Sequence, residues 1–459
     1  MIFKKILIFL AIFLLGCAPV LKKGGLEQGQ VVIYLSASGP PVDLALTLDE
    51  IWLEDAYGAK FPILLKEKEI DALSLIRHQC LLAQGSLSAG FYNRLCLKIK
   101  GATLKGHPLS LTNQGIFEVP IHLNIFPQGV VSLFLDWQPA NSIRDKEQFF
   151  PSIQVLRARA GLKRLLLYVS NSGNNYLSVI DRGTHQVIDT VTVGRAPKGM
   201  ALSADKNYLY VANSLSRDIS VIEVMTNRVI DTISCRMGTG LTELVVLTVN
   251  NRDCIYVTAT DSNAILVIDA LTKSIIKKIE VGQRPVGIAA DPDGRYVYVA
   301  NSYSNNISII DTFNNEVVGN IGVGDRPRYV KVFQRYILVS NSGSNTTIVL
   351  NRLSLRKSFT VFTPLQPGRI IKGLKGRFYV AGERSDDISI IDPFVNVALR
   401  KIRVGHYPSG MALDIDRKLL YVSNFKDDTV SIIDLLRERE IGRIAVGNRP
   451  YDLALIGTR

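Results

Sequence analysis

The sequence has few of the residues that build disulfide scaffolds, haem sites or zinc sites. Only five of its 459 residues are cysteine and only five are histidine. Five cysteines are too few for a fold held together by disulfides. The chain has no C-x-x-C pair, which excludes a c-type haem attachment site and a zinc ribbon. No two histidines are spaced to chelate one ion from a single strand or turn. We therefore expect no metal and no cofactor.

Long hydrophobic runs are also absent after the first seventeen residues. Lys4 and Lys5 precede an apolar run over 6–15, and Gly16 and Cys17 follow it. Ten apolar residues span about 15 Å of helix, half of a roughly 30 Å hydrocarbon core, so they predict an export signal and not a membrane span. With 47% hydrophobic residues, the chain as a whole can form a large buried core.

The end of this segment, Leu14-Leu15-Gly16-Cys17, resembles the lipobox of bacterial lipoproteins. The resemblance implies a lipoprotein signal peptide over 1–16, a lipid on Cys17 and a tether over 17–29. Ala18 stands where many lipoproteins retained at the inner membrane have aspartate. The resemblance therefore favours the outer membrane, on its periplasmic face or at the cell surface. An ordinary export signal followed by an unrelated cysteine is the alternative.

The other four cysteines are candidates for disulfides, because an exported protein meets an oxidising compartment. Cys96 lies in an alternating segment that predicts a place on the polar face, and Cys80 is its only near neighbour in sequence. A Cys80–Cys96 bridge is therefore an open possibility. Cys235 and Cys254 are expected at opposite ends of strands, at least about 15 Å apart. That distance exceeds the limit of about 7 Å between the Cα atoms of a disulfide.

A repeat that recurs every 40–46 residues dominates positions 160–459. Its most regular part is a strand of the form Tyr-Val-x-Asn, followed by a second strand, a third that ends in Val-Gly and a fourth that begins at a proline. Alternating β-branched residues between Asn, Asp and Gly turns are typical of short antiparallel strands. Four such strands in about 42 residues correspond to one propeller blade. The Tyr-Val strands include Tyr168, Tyr210, Tyr256, Tyr298, Leu338, Tyr379 and Tyr421.

The order of the strands at the two ends predicts how the repeats close. The first unit lacks a proline strand, and the chain ends on one, over 450–455, that has no later partners. Pairing the two completes a seventh blade and covers both open sheet edges. We therefore expect an all-β chain with a seven-bladed propeller closed by its C-terminal strand.

These motifs resemble the YVTN β-propeller family, with surface-layer-type and quinoprotein-like repeats. The resemblance covers about two thirds of the chain. It weakens in the third unit, where Ala259 replaces the asparagine and Thr239 replaces the proline. It also weakens in the fifth unit, where Asn351 stands near the usual aspartate and the Val-Gly pair is missing.

Residues 30–158 contain no repeat. Alternating segments over 31–36, 92–100 and 130–136, with polar turns between them, predict a small antiparallel β-sandwich. The runs over 31–36, 87–95 and 133–137 resemble an uncharacterised domain found in bacterial lipoproteins. That resemblance implies a domain that serves as a spacer or as a docking module, and it implies no specific activity.

One group of basic residues is a candidate binding site. The formal net charge is +13, and most of the excess lies in the repeat region. The Val-Gly-x-x-Pro loops are expected at the mouth of the central channel, where the family resemblance implies binding. Six basic residues lie in or beside these loops, namely Arg195, Arg284, Arg326, Arg328, His406 and Arg449. Such a cluster attracts carboxylates, phosphates or anionic glycans. The alternative is that these are ordinary solvated loop residues.

The leading interpretation is a lipid-anchored binding or scaffold protein of the bacterial envelope, with an envelope protein or an anionic small molecule or glycan as its partner. The compartment, and the lack of interleaved aromatic and basic residues along a strand, argue against nucleic acid. Because related propellers include lactonases and quinone-dependent dehydrogenases, a propeller enzyme is the alternative. Glu243 is then the catalytic candidate, on inner strands expected to be mostly small and apolar. A structural protein that self-associates is the third interpretation.

Overall fold

The computed structural model describes residues 28–64, 67–76, 78–156, 165–250, 252–363, 365–392 and 397–457. The predicted signal segment and the predicted lipidation site at Cys17 lie outside these residues. Nearly all regular structure in the described part is β-strand, which confirms the predicted fold class. None of the helices described there is long and apolar enough to cross a membrane.

Residues 165–456 form seven four-stranded antiparallel sheets, which we call blades 1 to 7. The first strand of each blade lies innermost, and the inner strands contact one another in order around a closed ring. From the inner to the outer strand, blade 1 contains Pro450–Ile456, Leu166–Asn171, Tyr176–Asp181 and Gln186–Thr192. Blade 2 contains Pro197–Leu202, Tyr208–Asn213, Asp218–Glu223 and Arg228–Ser234. Blade 3 contains Leu241–Val249, Arg252–Ala259, Ala264–Asp269 and Ile275–Glu280.

Blades 4 to 7 follow the same order from the inner to the outer strand. Short 3₁₀ turns lie at Thr260–Ser262 and Leu374–Gly376. Blade 4 contains Pro285–Ala290, Tyr296–Asn301, Asn306–Asp311 and Glu316–Gly322, and blade 5 contains Pro327–Phe333, Tyr336–Asn341, Thr346–Asn351 and Lys357–Phe362. Blade 6 contains Pro367–Lys372, Phe378–Gly382, Asp387–Asp392 and Val397–Arg403, and blade 7 contains Pro408–Asp414, Leu419–Asn424, Thr429–Asp434 and Arg439–Ala445.

Blade 1 is built from both ends of the repeat region. Its inner strand, Pro450–Ile456, pairs antiparallel with Leu166–Asn171 and places Leu455 opposite Leu167. The pairing removes the two open edges that an unclosed row of blades would leave. The C-terminal strand thus closes the ring, as the order of the repeats predicts.

The asparagine that ends the Tyr-Val-x-Asn strand forms a buried hydrogen bond within its blade. In blade 4 Asn301 Nδ2 donates to Ser308 Oγ at 2.8 Å, and both residues are fully buried. Blade 3 has Ala259 and Leu266 at these two positions, so the pair is replaced there by two apolar side chains and leaves no partner unpaired. The same hydrogen bond recurs as Asn171–Ser178, Asn213–Ser220 and Asn424–Ser431.

Residues 28–156 form two larger sheets that share one apolar core. The first sheet contains Gln28–Ala37, Gln79–Ser88, Val130–Trp137 and Ile153–Leu156. The second contains Leu44–Glu54, Lys60–Leu64, Lys68–Asp71, Gly90–Leu104, His107–Pro108 and Ile116–Ile125. Smaller elements are the one-turn helix Ala72–Leu75, the 3₁₀ turns Asn113–Gly115 and Pro139–Ser142, and the short strands Ser110–Leu111, Ile143–Arg144 and Gln148–Phe149.

The expected purely antiparallel arrangement of this region is wrong for two pairs of strands, of which the short pair is Ser110–Leu111 with Gln148–Phe149. Gln28–Ala37 and Val130–Trp137 run parallel, with Ile33 opposite Leu133. The two strands are far apart in sequence, so no hairpin forces them to be antiparallel. Alternation along one strand predicts which residues share a face, but it does not specify the direction of the neighbouring strand.

The four described cysteines are all unpaired, so the possible Cys80–Cys96 bridge does not form. Cys80 lies opposite Leu35 in the first sheet, whereas Cys96 lies opposite Trp52 in the second. The expected polar-face position of Cys96 is also wrong, because the residue is only 1% exposed. The strand that contains Cys96 is paired on both sides, with Leu44–Glu54 and with Ile116–Ile125. The alternation of residues within a single strand does not reveal such neighbours.

The N-terminal sheets pack against the outer edge of blade 1. The backbone amide of Val130 donates to Thr192 Oγ1 at 2.9 Å. Farther along the same outer strand, the side-chain amide of Gln79 accepts from the Val187 amide at 2.9 Å and donates to the Val187 carbonyl at 3.2 Å. These hydrogen bonds hold the N-terminal sheets along the outer strand of blade 1.

Candidate functional site

The third residue of each inner strand lies at the same level of the central channel. At Gly287 a Cβ would lie 2.7 Å from the Cα of Tyr329, and at Gly410 it would lie 2.9 Å from the Cα of Asp452. Glycine therefore lets neighbouring inner strands approach where larger side chains fill the channel. The seven residues, which we call the central layer, are Gly199, Glu243, Gly287, Tyr329, Arg369, Gly410 and Asp452.

Arg369 joins three blades within the central layer. Its Nη2 lies 2.7 Å from Glu243 Oε1 and 3.1 Å from Asp452 Oδ1. Its guanidinium carbon lies 5.1 Å from the centroid of the Tyr329 ring. Asp452 Oδ2 also accepts a hydrogen bond from the backbone amide of Met200 at 2.9 Å. One arginine and two carboxylates thus form a buried ion triad across the channel.

The triad shifts the pKa values of its members in a way that follows from burial and charge. Burial raises the pKa of Glu243 to about 7, although the positive charge of Arg369 favours the ionised carboxylate. Burial alone would lower the pKa of Arg369, but Asp452 and Glu243 together outweigh it and raise that pKa. The arginine therefore stays charged, and the pKa of Glu243 lies near neutral pH.

A second ion pair lies beside the triad. Arg328 Nη1 is 3.0 Å from Glu383 Oε2 and 3.5 Å from the Tyr407 hydroxyl. Burial raises the pKa of Glu383, against the attraction of Arg328. The hydroxyls of Tyr329 and Tyr451 lie 3.3 Å apart. Charged and aromatic side chains, and not the apolar contacts usual in a core, therefore fill this level of the channel.

On the side of the Val-Gly loops, the channel widens into a cavity of about 600 Å³, which we call the mouth cavity. Residues of blades 1, 2, 5 and 7 line it. None of the lining residues is a carboxylate, and of the four lining cations only Arg328 forms an ion pair in the described residues, with Glu383. The charged and aromatic lining residues are Lys198, Arg328, Lys426, Arg449, Tyr407, Phe425 and Tyr451.

Lys198 is the least exposed of the three mouth-cavity cations that form no ion pair among the described residues, the other two being Lys426 and Arg449. Its Nζ lies 5.9 Å from the centroid of the Tyr451 ring. The carboxylates that act on its charge, Asp261 and Glu243, form ion pairs with arginines, and no ion pair joins Lys198 to a carboxylate within the described residues. Burial lowers the pKa of Lys198. A cation held in this way lacks both full hydration and a partner.

Two of the six predicted binding residues, Arg328 and Arg449, line the mouth cavity. Arg449 precedes a proline in a loop with left-handed backbone, as do Arg284 and Arg326, with φ values of 53°, 49° and 49° respectively. The amide of each such residue is held by an Asn or Asp side chain, as when Arg326 donates to Asn305 Oδ1 at 2.9 Å. The loops are therefore alike, but they do not bring all the predicted side chains together.

Two of the remaining predicted residues have local acidic partners. Arg284 Nη1 lies 3.6 Å from Asp261 Oδ1, and its guanidinium carbon lies 5.2 Å from the centroid of the Tyr303 ring. His406 Nδ1 lies 2.7 Å from Asp427 Oδ1. Both side chains therefore have partners outside the mouth cavity.

The last two predicted residues lie on the rim. Arg326 is exposed, and only its backbone has a described partner. Arg195 lines a separate cavity of about 540 Å³ together with Arg217 and Arg236. The predicted cluster is thus spread over several loops, and the concentration of positive charge lies deeper, in the mouth cavity.

A cavity of about 400 Å³ lies on the other side of the central layer. Glu243, Arg369 and Lys331 line it together with apolar side chains, and burial within the channel walls lowers the pKa of Lys331. The expectation that Glu243 is the acidic exception on the inner strands is wrong, because Asp452 and Asp414 are also buried carboxylates on inner strands. No group of three His, Cys, Asp or Glu side chains in the described ranges could hold a metal ion.

Sequence analysis missed Lys198, Arg369 and Asp452, although a signal for them exists. All three stand one or two residues after the first residue of an inner strand, so aligning the repeats at that position brings them into two columns. The sequence marks Glu383 and Phe425 less clearly than it marks those three residues. They lie at the loop after the second strand, where side chains differ from blade to blade.

Comparisons with known proteins inform the fold. No known family profile matches the sequence, and no curated protein is significantly similar to it. Solved structures do match. A functionally unknown protein from Desulfotomaculum acetoxidans DSM 771 is 14% identical with a TM-score of 0.57, over 64% of this chain and all of its own. The fold is a β-propeller.

Two further propellers match over most of their own length. A candidate 6-phosphogluconolactonase from Bacteroides fragilis NCTC 9343 is 17% identical with a TM-score of 0.54, over 64% of this chain and 98% of its own. The hydrazine synthase of Kuenenia stuttgartiensis is 20% identical with a TM-score of 0.50, over 57% of this chain and 95% of its own. At such identities the similarity concerns the fold and not the activity.

Proposed function

We propose that this chain is a binding protein of the bacterial envelope that holds an anionic ligand in the mouth cavity. The observation that carries the proposal is the lining of that cavity, which has four cationic side chains and no carboxylate. Lys198 contributes most to the argument, because it is desolvated and has no ion pair among the described residues. A carboxylate or phosphate in the cavity would supply the missing countercharge.

The walls of the mouth cavity also favour a ligand with a flat or apolar body. The rings of Tyr407 and Phe425 have centroids 5.7 Å apart, and Lys426 Nζ lies 5.5 Å from the Tyr407 centroid. Such rings pack against the body of a ligand while the cations hold its charge. Arg328 is already oriented by Glu383, which reduces the ordering needed on binding.

The envelope location is part of the proposal and rests on the first residues of the chain. The two lysines, the short apolar run and Gly16-Cys17 support export and a lipid on Cys17 that holds the protein at the outer membrane. Labelling cells with a clickable palmitate analogue tests this. The wild-type chain should incorporate the label and Cys17→Ser should not, whereas equal labelling of both would contradict a lipid on Cys17.

Titration calorimetry of the purified protein tests the binding proposal, with inorganic phosphate, benzoate and an oligogalacturonate as probes. We expect wild type to bind at least one probe, with an affinity that falls as salt screens the attraction. The double variant Lys198→Glu, Lys426→Glu should bind that probe at least about tenfold more weakly, since about 1.4 kcal/mol corresponds to a factor of ten.

The matched control places the same two charge reversals outside the mouth cavity. Arg217 and Arg236 line the separate rim cavity, so Arg217→Glu, Arg236→Glu should bind the probe as wild type does. An equal loss in both double variants would show a general charge effect and contradict the site. Failure of wild type to bind any probe would contradict the proposal itself.

A lactonase-like enzyme is the second candidate function. Its supporting observation is the Glu243 carboxyl, whose pKa of about 7 suits proton transfer near neutral pH. The propeller from Bacteroides fragilis, a candidate 6-phosphogluconolactonase, shares the fold. Lactone hydrolysis followed at constant pH separates the two functions. Turnover by wild type that disappears in Glu243→Gln would favour the enzyme, and absence of turnover in both would favour the binding protein.

A further inference from the structure

The hairpins that join the third and fourth strands carry exposed apolar side chains at one equivalent position. This position, the second residue after the third strand, is 63–86% exposed in five blades. Residue 394 of blade 6 lies outside the described residues, and blade 1 has Gly183. The five residues, which we call the apolar tips, are Met225, Leu271, Phe313, Leu353 and Leu436.

The apolar tips all lie on the face opposite the mouth cavity. Each fourth strand leads into a Val-Gly-type loop on the mouth side, so the hairpin where that strand begins lies at the other end of the blade. The hairpins between the first and second strands lie at this end as well. We call this surface the base face. A single exposed apolar residue is ordinary, but recurrence in five blades on one face gives a ring of them.

Turn formation does not require these side chains. In blade 4 the turn is held by Asp311 Oδ1, which accepts from the amide of Phe313 at 2.8 Å. In blade 7 Asp434 Oδ1 accepts from the amide of Leu436 in the same way, also at 2.8 Å. The aspartate and the backbone make these hydrogen bonds, so a small polar residue at the tip would serve the turn equally well.

Cations accompany the apolar tips on the base face. Five blades present an exposed basic residue in or next to the hairpin between the first and second strands, and no ion pair joins any of the five to a carboxylate in the described ranges. Exposed carboxylates of the hairpins between the first and second strands are Asp205, Asp293 and Asp416, and Asp293 forms an ion pair with Arg352. The five cations are Lys206, Arg252, Arg335, Lys375 and Arg417.

Blade 1, which has glycine at the tip position, is contacted by the N-terminal sheets. Gln79 holds the backbone of Val187, four residues beyond Gly183. The outer strand of blade 7, Arg439–Ala445, also contacts the N-terminal strand Gln79–Ser88, yet Leu436 in its hairpin is 72% exposed. The N-terminal sheets therefore leave the apolar tips accessible.

We propose that the base face rests on a lipid bilayer that contains anionic lipid. The apolar tips enter the interface between headgroups and acyl chains, and the unpaired cations lie at the level of the anionic headgroups, the combination that holds peripheral proteins at such surfaces. Because the unpaired cations of the base face complement negative headgroups, we assign the surface to anionic lipid and not to neutral lipid. The mouth cavity then opens away from the membrane. This orientation depends neither on a lipid at Cys17 nor on the ligand of the mouth cavity.

The depth of single tryptophans measures which face touches the bilayer. Leu271→Trp and Leu353→Trp place the probe on the base face, and Leu215→Trp, at an exposed residue that lines the mouth cavity, is the matched control. The full chain is reconstituted with vesicles of phosphatidylglycerol and phosphatidylcholine that carry brominated acyl chains. The native Trp52 and Trp137 are buried and add the same background to each variant. Because depth is the readout, the mode of anchoring does not affect the comparison.

We expect bromine to quench both base-face tryptophans and to leave Trp at position 215 unquenched. Replacing phosphatidylglycerol with phosphatidylcholine, or adding salt, should reduce that quenching, because the attraction of the cations is screened or lost. Stronger quenching at position 215, equal quenching on both faces or no quenching at either base-face position would overturn the proposal. Quenching that is indifferent to lipid charge and salt would overturn the assignment to anionic lipid.

A tip-deleted variant provides an independent measurement. Changing all five apolar tips to serine should weaken vesicle association about tenfold or more, since each side chain loses its apolar transfer energy. Leu215→Ser, Met237→Ser and Tyr303→Ser, which alter exposed residues of the mouth side, should not weaken it. Equal weakening by both sets would contradict the proposal. Circular dichroism confirms that each variant remains folded.

Discussion

Arg369 donates a hydrogen bond from Nη2 to Glu243 Oε1 at 2.7 Å and so links the inner strands of blades 6 and 3, which are not neighbours in the ring. The contact crosses the channel and is largely buried. Propeller blades usually interact with adjacent blades through apolar contacts, and here a charged contact also ties distant blades together. It follows that stability and its pH dependence both depend on charges in the channel.

Removing the arginine of the buried triad should destabilise the fold strongly. Arg369→Leu leaves the carboxylates of Glu243 and Asp452 buried without a countercharge, and we expect a loss of about 3–5 kcal/mol in the free energy of unfolding. Urea unfolding followed by circular dichroism measures it. Arg326→Leu, at an exposed arginine, is the control and should change stability by no more than about 0.5 kcal/mol. A similar small effect for both variants would contradict a structural role of the triad.

The raised pKa of Glu243 predicts a specific pH dependence. The carboxyl has a pKa of about 7 in the folded chain and an ordinary value of 4.5 when unfolded. Between these values the folded state binds more protons, so this group makes stability fall as pH rises from about 4.5 to 7. Glu243→Gln should show a flatter profile in that window. If thermal unfolding gives parallel pH profiles for wild type and variant, the titration belongs to another group.

The buried asparagine of the repeat motif should stabilise its own blade. Asn301→Ala removes the donor to Ser308 Oγ, and we expect a cost of about 1–3 kcal/mol, the typical range for a buried polar group that loses a partner. The natural Ala259 and Leu266 of blade 3 indicate that removing both partners is tolerated. In a double-mutant cycle, Asn301→Ala, Ser308→Ala should therefore cost less than the sum of the single changes. Additive costs would show that the two side chains do not interact.

Lys198 is predicted to serve binding at the expense of stability. Lys198→Met removes a desolvated cation whose pKa is lowered by burial, so unfolding should cost the same energy or about 1 kcal/mol more than in wild type. The same variant should bind the anionic probe about tenfold more weakly. Lys357→Met, on the outer strand of blade 5, should change neither property. Strong destabilisation by Lys198→Met would show that the lysine is structural.

The C-terminal strand should be essential for a closed ring. Deleting residues 450–459 removes the inner strand of blade 1 and exposes the edge of Leu166–Asn171, and an exposed edge of this kind pairs with other chains. We expect loss of cooperative thermal unfolding and the appearance of oligomers in size-exclusion chromatography. Stopping the chain after Gly457, which leaves the strand intact, is the control. A monomeric deletion variant with wild-type unfolding would contradict the closure.

The sequence alone determined the β-propeller and its closure by the C-terminal strand, because both follow from local periodicity and the order of repeated strands. The Tyr-Val-x-Asn motif records hydrogen bonds within one blade, such as that of Asn301 with Ser308. Neighbouring strands of a blade are joined by short turns, so their pairing is a short-range property. Of the six basic residues predicted for the channel mouth, Arg328 and Arg449 line the mouth cavity.

Tertiary structure alone decided which charges meet. Arg369, Glu243 and Asp452 come from three blades, and no local pattern states which residues face each other across a channel. The sequence also did not show that the strands Gln28–Ala37 and Val130–Trp137 pair in parallel, because parallel and antiparallel pairing bury the same alternating side chains. Local interactions along the chain specify each blade, whereas the site arises where distant blades converge and burial changes the energy of every charge they bring.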